Sequence, residues 1–266
     1  MELDKVIVVK IGGATLGSHD TTIEDVVYLQ RQGKTLVVVH GGGKLLTEWL
    51  SRQEIPTRFV RGERVTDKAT LEVATAVLAG LVNKEITAAI NSRGGRAIGI
   101  SGVDGAVIQG KVKKKELGYV GTVVKVNTAP LATLLESGYI PIISPMSLNP
   151  SDKTKGAPQI LNINADHVAG EIAAAVGAER LILLTDVAGI SDRTGRLLPE
   201  LTTEEAEALM EAGVASGGMI PKIQACLRAL ATTPSTSIID GRQEHALLKE
   251  MEGRGGGTTI IKTAGN

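Results

Sequence analysis

Three apolar runs in this chain end in the same way, and that repetition restricts the fold more than any other feature. Val6-Ile7-Val8-Val9-Lys10-Ile11 leads into Gly12-Gly13, Leu36-Val37-Val38-Val39-His40 into Gly41-Gly42-Gly43, and Leu181-Ile182-Leu183-Leu184-Thr185-Asp186 into Val187-Ala188-Gly189. Continuous apolar, β-branched runs, rather than strict alternation, are what strands show when helices cover both faces of a sheet. Ile98 to Ile100 and Tyr139 to Ile143 read as two more strands. Between the runs lie stretches of helical spacing with start signals, Asp20-Thr21-Thr22 before Ile23 to Gln32 and Asp67 before Ala69 to Val82. This alternation predicts a three-layer αβα sandwich with an open, mostly parallel central sheet. Ligands of such folds bind beyond the carboxyl ends of the strands, where the glycine clusters fall.

The organisation is weakest in Gln109 to Val126, which holds the basic run Lys111-Val112-Lys113-Lys114-Lys115, and in Ser144 to Ile160, rich in Pro, Asn and Ser. They read as a projecting hairpin and a loop. Neither is a linker, so residues 1–266 are expected to form one domain with two lobes, 1–176 and 177–266. Composition excludes several classes of partner. Lys plus Arg (29) balance Asp plus Glu (29), and the aromatic residues are one Trp, three Tyr and one Phe, so no nucleic-acid partner is expected. The single cysteine, Cys226, allows neither an internal disulfide nor a C-x-x-C pair, which suits a reducing compartment. No uncharged apolar stretch approaches the roughly 18 residues of a membrane span. Glu2 and Asp4 precede an apolar run that is short for a signal peptide, so the expected location is cytoplasmic, with no membrane partner.

The glycine loops match neither common nucleotide motif. Gly41-Gly42-Gly43-Lys44 is followed by Leu45 rather than Ser or Thr, and no G-x-G-x-x-G follows a strand. One such loop is a tight turn; three at one sheet edge favour an anion site, because converging backbone N–H groups and helix N-termini attract negative charge. Lys10, at the end of a buried strand, must face the cleft or solvent. Lys222 follows Gly217-Gly218-Met219-Ile220-Pro221 at a helix start, which would aim a second ammonium at the same edge; for either lysine the other reading is a solvated surface charge. Asn162-Ile163-Asn164-Ala165-Asp166-His167 precedes the apolar helix Val168 to Val176; Asn164 is a natural cap, and Asp166 serves either the helix dipole or catalysis. Arg64, in a polar turn before a helix, suits bidentate carboxylate binding or a surface ion pair with Glu63 or Asp67. The four histidines show no metal spacing, so no protein-bound metal is expected. Gly99-Ile100-Ser101-Gly102-Val103 is not a nucleophile elbow.

Together, Val9 to Gly13, Val39 to Gly43, Gly62 to Asp67, Leu117 to Gly121, Asn162 to Asp166, Thr185 to Gly189 and Gly217 to Lys222, in that order, resemble the amino acid kinase superfamily over essentially the whole chain. The resemblance implies that ATP, with Mg²⁺ held mainly by the nucleotide, phosphorylates the side-chain carboxylate of N-acetyl-L-glutamate in arginine biosynthesis. It casts Lys10 and Lys222 as transition-state lysines and Asp166 as the carboxylate that holds them. Gly42, Gly43, Arg64 and Asn162 become substrate contacts. Gly12, Gly13, Asp186, Val187, Ala188, Gly189, Ile190, Gly217, Gly218 and Met219 become nucleotide contacts. Residues 1–176 would then bind the acyl substrate and dimerise, and residues 177–266 would bind the nucleotide. Family members commonly have Leu where this chain has Glu63, which puts an extra charge beside Arg64. The alternatives are a kinase for carrier-linked aminoadipate and a non-catalytic amino-acid sensor; retention of both lysines favours an enzyme. Arginine-inhibited members carry a helix before the first strand, where this sequence has only Met1 to Asp4, so the expectation is a homodimer that arginine does not inhibit.

Overall fold

A computed structural model describes residues 5–12, 21–60, 62–150 and 158–262. Gly13 lies outside them. The main sheet has eight strands in the order Glu200–Thr202, Thr258–Ile261, Ser235–Asp240, Arg180–Thr185, Val6–Ile11, Thr35–His40, Ile140–Ser144 and Ala97–Ser101. From Ser235–Asp240 onward the neighbours are parallel; Thr258–Ile261 alone turns antiparallel to its neighbour Ser235–Asp240, and carries Glu200–Thr202 parallel to itself at the edge. The first strand sits in the middle, with the second on one side and Arg180–Thr185 on the other. Connections therefore leave in opposite directions from its carboxyl end, and the crevice that opens there is where such sheets bind ligands. Lys10 stands at its mouth.

Both faces of the sheet are buried, which explains the unbroken apolar runs. Val6, Val8, Val37, Val39, Leu181 and Leu183 pack on the side of the helices Ala165–Val176 and Met219–Ala229. Ile7, Val9, Ile11, Leu36, Val38 and Ile182 pack on the other side, under Thr22–Arg31 and the long helix from Lys68 to Ser92. The expected sandwich is thus the observed one. Two segments depart from the sequence reading. The helix after Asp67 does not stop at Val82 but continues to Ser92, through a π-helical stretch, Thr75–Val82, in an apolar run whose spacing no longer marks one face. By length and composition this helix is apolar enough to cross a membrane, yet Val73, Val77, Leu78, Val82, Ile86 and Ile90 are buried against the sheet. The segment after Ser144 is not only loop: Met146–Leu148 and Ile160–Asn162 pair with each other and join the predicted hairpin, Ile108–Val112 with Gly121–Val126, in a second sheet of four strands.

One close approach sets how two helices cross behind the crevice. A Cβ on Gly170 would lie 2.6 Å from the Ala225 carbonyl oxygen and 2.8 Å from its Cα, so only glycine lets the helices Ala165–Val176 and Met219–Ala229 touch backbone to backbone. About one turn nearer the N-terminus of each helix stand Asp166 and Lys222, and the crossing brings them within reach of each other.

Candidate active site

Asp166 is the centre of the site. Asn164 caps its helix, accepting a 2.8 Å hydrogen bond from the Asp166 N–H, which points the first turn toward the carboxyl end of the first strand. Lys10 Nζ lies 2.7 Å from Asp166 Oδ1, and Lys222 Nζ lies 3.0 Å from Oδ2. Both Lys10 and Asp166 are buried, at 7% and 4% exposure. Burial alone would raise the carboxyl pKa; the two ammonium groups outweigh it and hold Asp166 at about 2. The triad of one anion and two cations leaves a surplus positive charge at the floor of a pocket of about 250 Å³. Lys10, Gly42, Gly43, Arg64, Asn162 and Asp166 all line it. Every acyl-substrate position expected from the sequence therefore meets Lys10 and Asp166 in one cavity, and Lys222 reaches it through Asp166.

The cavity wall is built by close fits. Gly42 has φ +147, and a Cβ there would lie 2.6 Å from Leu78 Cδ2, in the π-helical stretch. Any side chain at position 42 would be strained and would displace that leucine. Arg64 donates from Nη2 to Thr47 Oγ1 at 2.6 Å and to the Gly43 carbonyl at 3.1 Å, and its guanidinium lies 4.8 Å from the Phe59 ring centroid. Neither ion pair considered for it from the sequence forms: Glu63 pairs with Lys113, and Asp67 caps the next helix by accepting from the Thr70 N–H. Asn162 donates from Nδ2 to Thr66 Oγ1 at 3.3 Å.

The described positions expected to bind the nucleotide lie on three separate stretches of the chain. The Gly12 N–H bonds to the Leu184 carbonyl at 3.1 Å, and the Cβ position of Gly12 lies 3.9 Å from Lys10 Nζ. Asp186 to Ile190 continue from the strand Arg180–Thr185, with Val187 exposed and Ile190 buried, its N–H donating to Thr258 Oγ1 at 2.8 Å. Gly217, Gly218 and Met219 form the entry to the helix that carries Lys222, and Gly217 lines a second pocket of about 470 Å³ with Lys113, His167 and Gln224. None of the segment Asp186 to Ile190 lines the cavity over Asp166.

Sequence reasoning passed over His40. It is fully buried at the end of its strand, and with the proton on Nδ1 the ring donates to the Gly41 carbonyl (2.8 Å) while Nε2 accepts from Asn83 Nδ2 (3.1 Å), the tautomer that satisfies both partners. The same amide nitrogen lies 2.9 Å from the Ile142 carbonyl and 3.1 Å from that of Ile100, so its two hydrogens are shared among acceptors on three neighbouring strands. Burial lowers the His40 pKa to about 4. Unfolded, the ring takes up its proton near pH 6.5, so its neutral form favours the fold above that pH, and stability declines as pH falls from about 6.5 toward 4. Denaturant titrations between pH 7 and 4 should show a loss on the order of 3 kcal/mol from this residue, and His40→Gln should flatten the slope over that window. An unchanged slope in the variant would assign the loss to other groups.

The strand order and the buried Lys-Asp-Lys triad at the central crevice set the class of protein: an open, mostly parallel α/β fold with a cationic site at its switch point. The chain belongs to the amino acid kinase family, whose model matches residues 5–240. It is 46% identical over 255 residues to an acetylglutamate kinase of Dehalococcoides mccartyi, covering 96% of this chain and 94% of that one. It is 48% identical to the acetylglutamate kinase of Thermosynechococcus vestitus, with 93% and 84% covered. Among solved structures, the N-acetylglutamate synthase of Neisseria gonorrhoeae, complexed with coenzyme A and N-acetyl-glutamate, superimposes with a TM-score of 0.84 at 27% identity, over 98% of this chain and 60% of that one.

Proposed function

We propose that this chain transfers the γ-phosphoryl group of ATP to the side-chain carboxylate of N-acetyl-L-glutamate, the activity that its relatives' name describes, in the arginine-building sequence. The observation that carries this reading is Asp166 held between Lys10 and Lys222 at the floor of the cavity. The nucleophile is a carboxylate with an ordinary pKa near 4.3, already ionised at neutral pH, so no general base is needed. One carboxylate oxygen forms the new O–P bond, the bond from γ-phosphorus to the β,γ-bridging oxygen breaks, and ADP leaves with that oxygen. The barrier lies in bringing two anions into line and stabilising charge that spreads over the moving group, the work of fixed cations and N–H donors. Lys10 and Lys222 supply the cations. Asp166 keeps them apart and oriented, and the Gly41-Gly42-Gly43 loop at the N-terminus of the helix Gly43–Arg52 offers N–H groups to the substrate. Mg²⁺ would come with ATP, held mainly by its phosphate oxygens, while Asp166 has a lysine beside each of its oxygens.

The lobe division follows the sheet: main-sheet strands from residues 35–144 lie to one side of the first strand and those from 180–261 to the other, which supports acyl substrate on residues 1–176 and nucleotide on 177–266. The same reading carries a homodimer, since closed two-fold dimers are the commonest homo-oligomers. A reducing, cytoplasmic setting suits Cys226, a fully buried thiol whose pKa burial pushes up to about 12. The reading is tested by trapping acyl phosphate with hydroxylamine on N-acetylglutamate, glutamate, N-acetylaspartate and N-acetyl-aminoadipate. N-acetylglutamate should give by far the highest kcat/KM; a higher value for the aminoadipate compound, or no product at all, would overturn it. Arg64→Ala should raise KM for the acyl substrate about tenfold or more with ATP affinity nearly unchanged, because its charge meets a carboxylate that does not react. An equal rise for ATP would remove Arg64 from that role.

A further inference from the structure

Glu63 and Lys113 form an ion pair across 50 residues of chain, with Lys113 Nζ 3.0 Å from one carboxylate oxygen of Glu63 and 2.9 Å from the other. Glu63 lies on the short ribbon, Phe59–Val60 with Glu63–Arg64, that carries Arg64 to the cavity. Lys113 extends the strand Ile108–Val112 of the projecting hairpin, where its N–H bonds to the Val120 carbonyl. Glu63 lines both the cavity over Asp166 and the second pocket, and Lys113 lines the second, so the pair stands in the wall between them. The only other ties between ribbon and hairpin loop among the described residues are made by the Thr66 backbone, to Leu117 and Tyr119, three residues further on.

We propose that Lys113 is a positioning residue for the acyl substrate: it latches the Arg64 ribbon to the hairpin and cancels the charge of Glu63 on the cavity wall. The inference rests on the kinase reading above. An anionic substrate drawn by Arg64 passes a carboxylate at the adjacent residue, and unpaired, that carboxylate would repel it. The side chains of Glu63 and Lys113 are 21% and 29% exposed, so solvent screens the pair and its effect is modest.

The test is a mutant cycle on the full chain. Lys113→Met, which both opens the latch and unmasks Glu63, should raise KM for N-acetylglutamate about five- to tenfold. Glu63→Gln, which only opens it, should raise KM about threefold, and the double variant should match Glu63→Gln rather than exceed Lys113→Met. Lys113→Arg should stay within twofold of the parent, as should kcat and the KM for ATP in every variant. Unchanged acyl KM in Lys113→Met, a parallel rise for ATP, or additive effects in the double variant would each overturn the proposal. Hydrogen exchange in the ligand-free protein reads the latch without substrate: the amides of Glu63 to Thr66 should exchange faster in Lys113→Met, and parental rates would overturn the latch. If the ligand-free amides respond but N-acetylglutamate is not phosphorylated by the parent, the functional reading fails and the latch stands.

Discussion

Lys222→Ala is expected to lower kcat about 100-fold or more in a protein that still folds, with Lys10→Ala at least as severe. In the resting site each ammonium spends part of its charge on Asp166, at 3.0 Å for Lys222 and 2.7 Å for Lys10. On the proposed reading, charge develops above that carboxylate as the phosphoryl group moves between two oxygens, in a floor largely closed to water, where a fixed cation is worth several times its value in solution. The loss therefore falls on kcat more than on KM. The two variants should differ in stability. Lys222 sits in the first turn of its helix with its side chain 15% exposed, and its removal leaves Asp166 with one partner. Lys10 is held in the central strand at 7% exposure, so its truncation also leaves a gap in packed surroundings. Steady-state kinetics with circular dichroism on both variants decide the matter: near-parental kcat in either folded variant would remove that lysine from the chemistry.

The strands and the cavity residues were legible because each rests on a local signal. A buried run that ends in glycine shows where a strand stops and a turn begins, and Lys10, Gly42 and Gly43 lie on such ends. Asn164 and Asp166 were legible as a helix start, and the cap is as expected. Partnerships made by strand order were not legible. His40 meets Asn83 only because the second strand lies beside Ile140–Ser144, which in turn lies beside Ala97–Ser101, and nothing at either position announces the other. Glu63 and Lys113 each sit in a polar stretch that reads as solvated surface. Gly170 looks like a weak point in an alanine-rich helix until Ala225 is placed against it. The end of the long helix at Ser92 was hidden by the apolar run Thr75–Val82, whose π geometry breaks the 3.6-residue period.

Asp166→Ala should cost more stability than either lysine substitution, together with a loss of kcat of about 100-fold or more. Removing the carboxylate leaves Lys10 and Lys222 facing one another in a site largely closed to water, and an uncompensated buried charge costs about 3–5 kcal/mol. Partial exposure of Lys222 places the expectation at the lower end, a fall in Tm on the order of 10 °C for a chain of this size. The effect has a definite pH signature. The folded carboxyl, held at about 2, lies below its unfolded value of 3.8, so Asp166 stabilises the fold fully above 3.8, and that contribution disappears as pH falls through 2. The stability gap between parent and variant should therefore be widest at neutral pH and close between pH 4 and 2. An added anion should act in the same sense. Inorganic phosphate placed between the two ammonium groups replaces the missing charge, so millimolar phosphate should raise the Tm of Asp166→Ala by more than that of the parent. If the variant melts with the parent at pH 7, or phosphate shifts both equally, the lysines have found other partners and Asp166 is not what holds them.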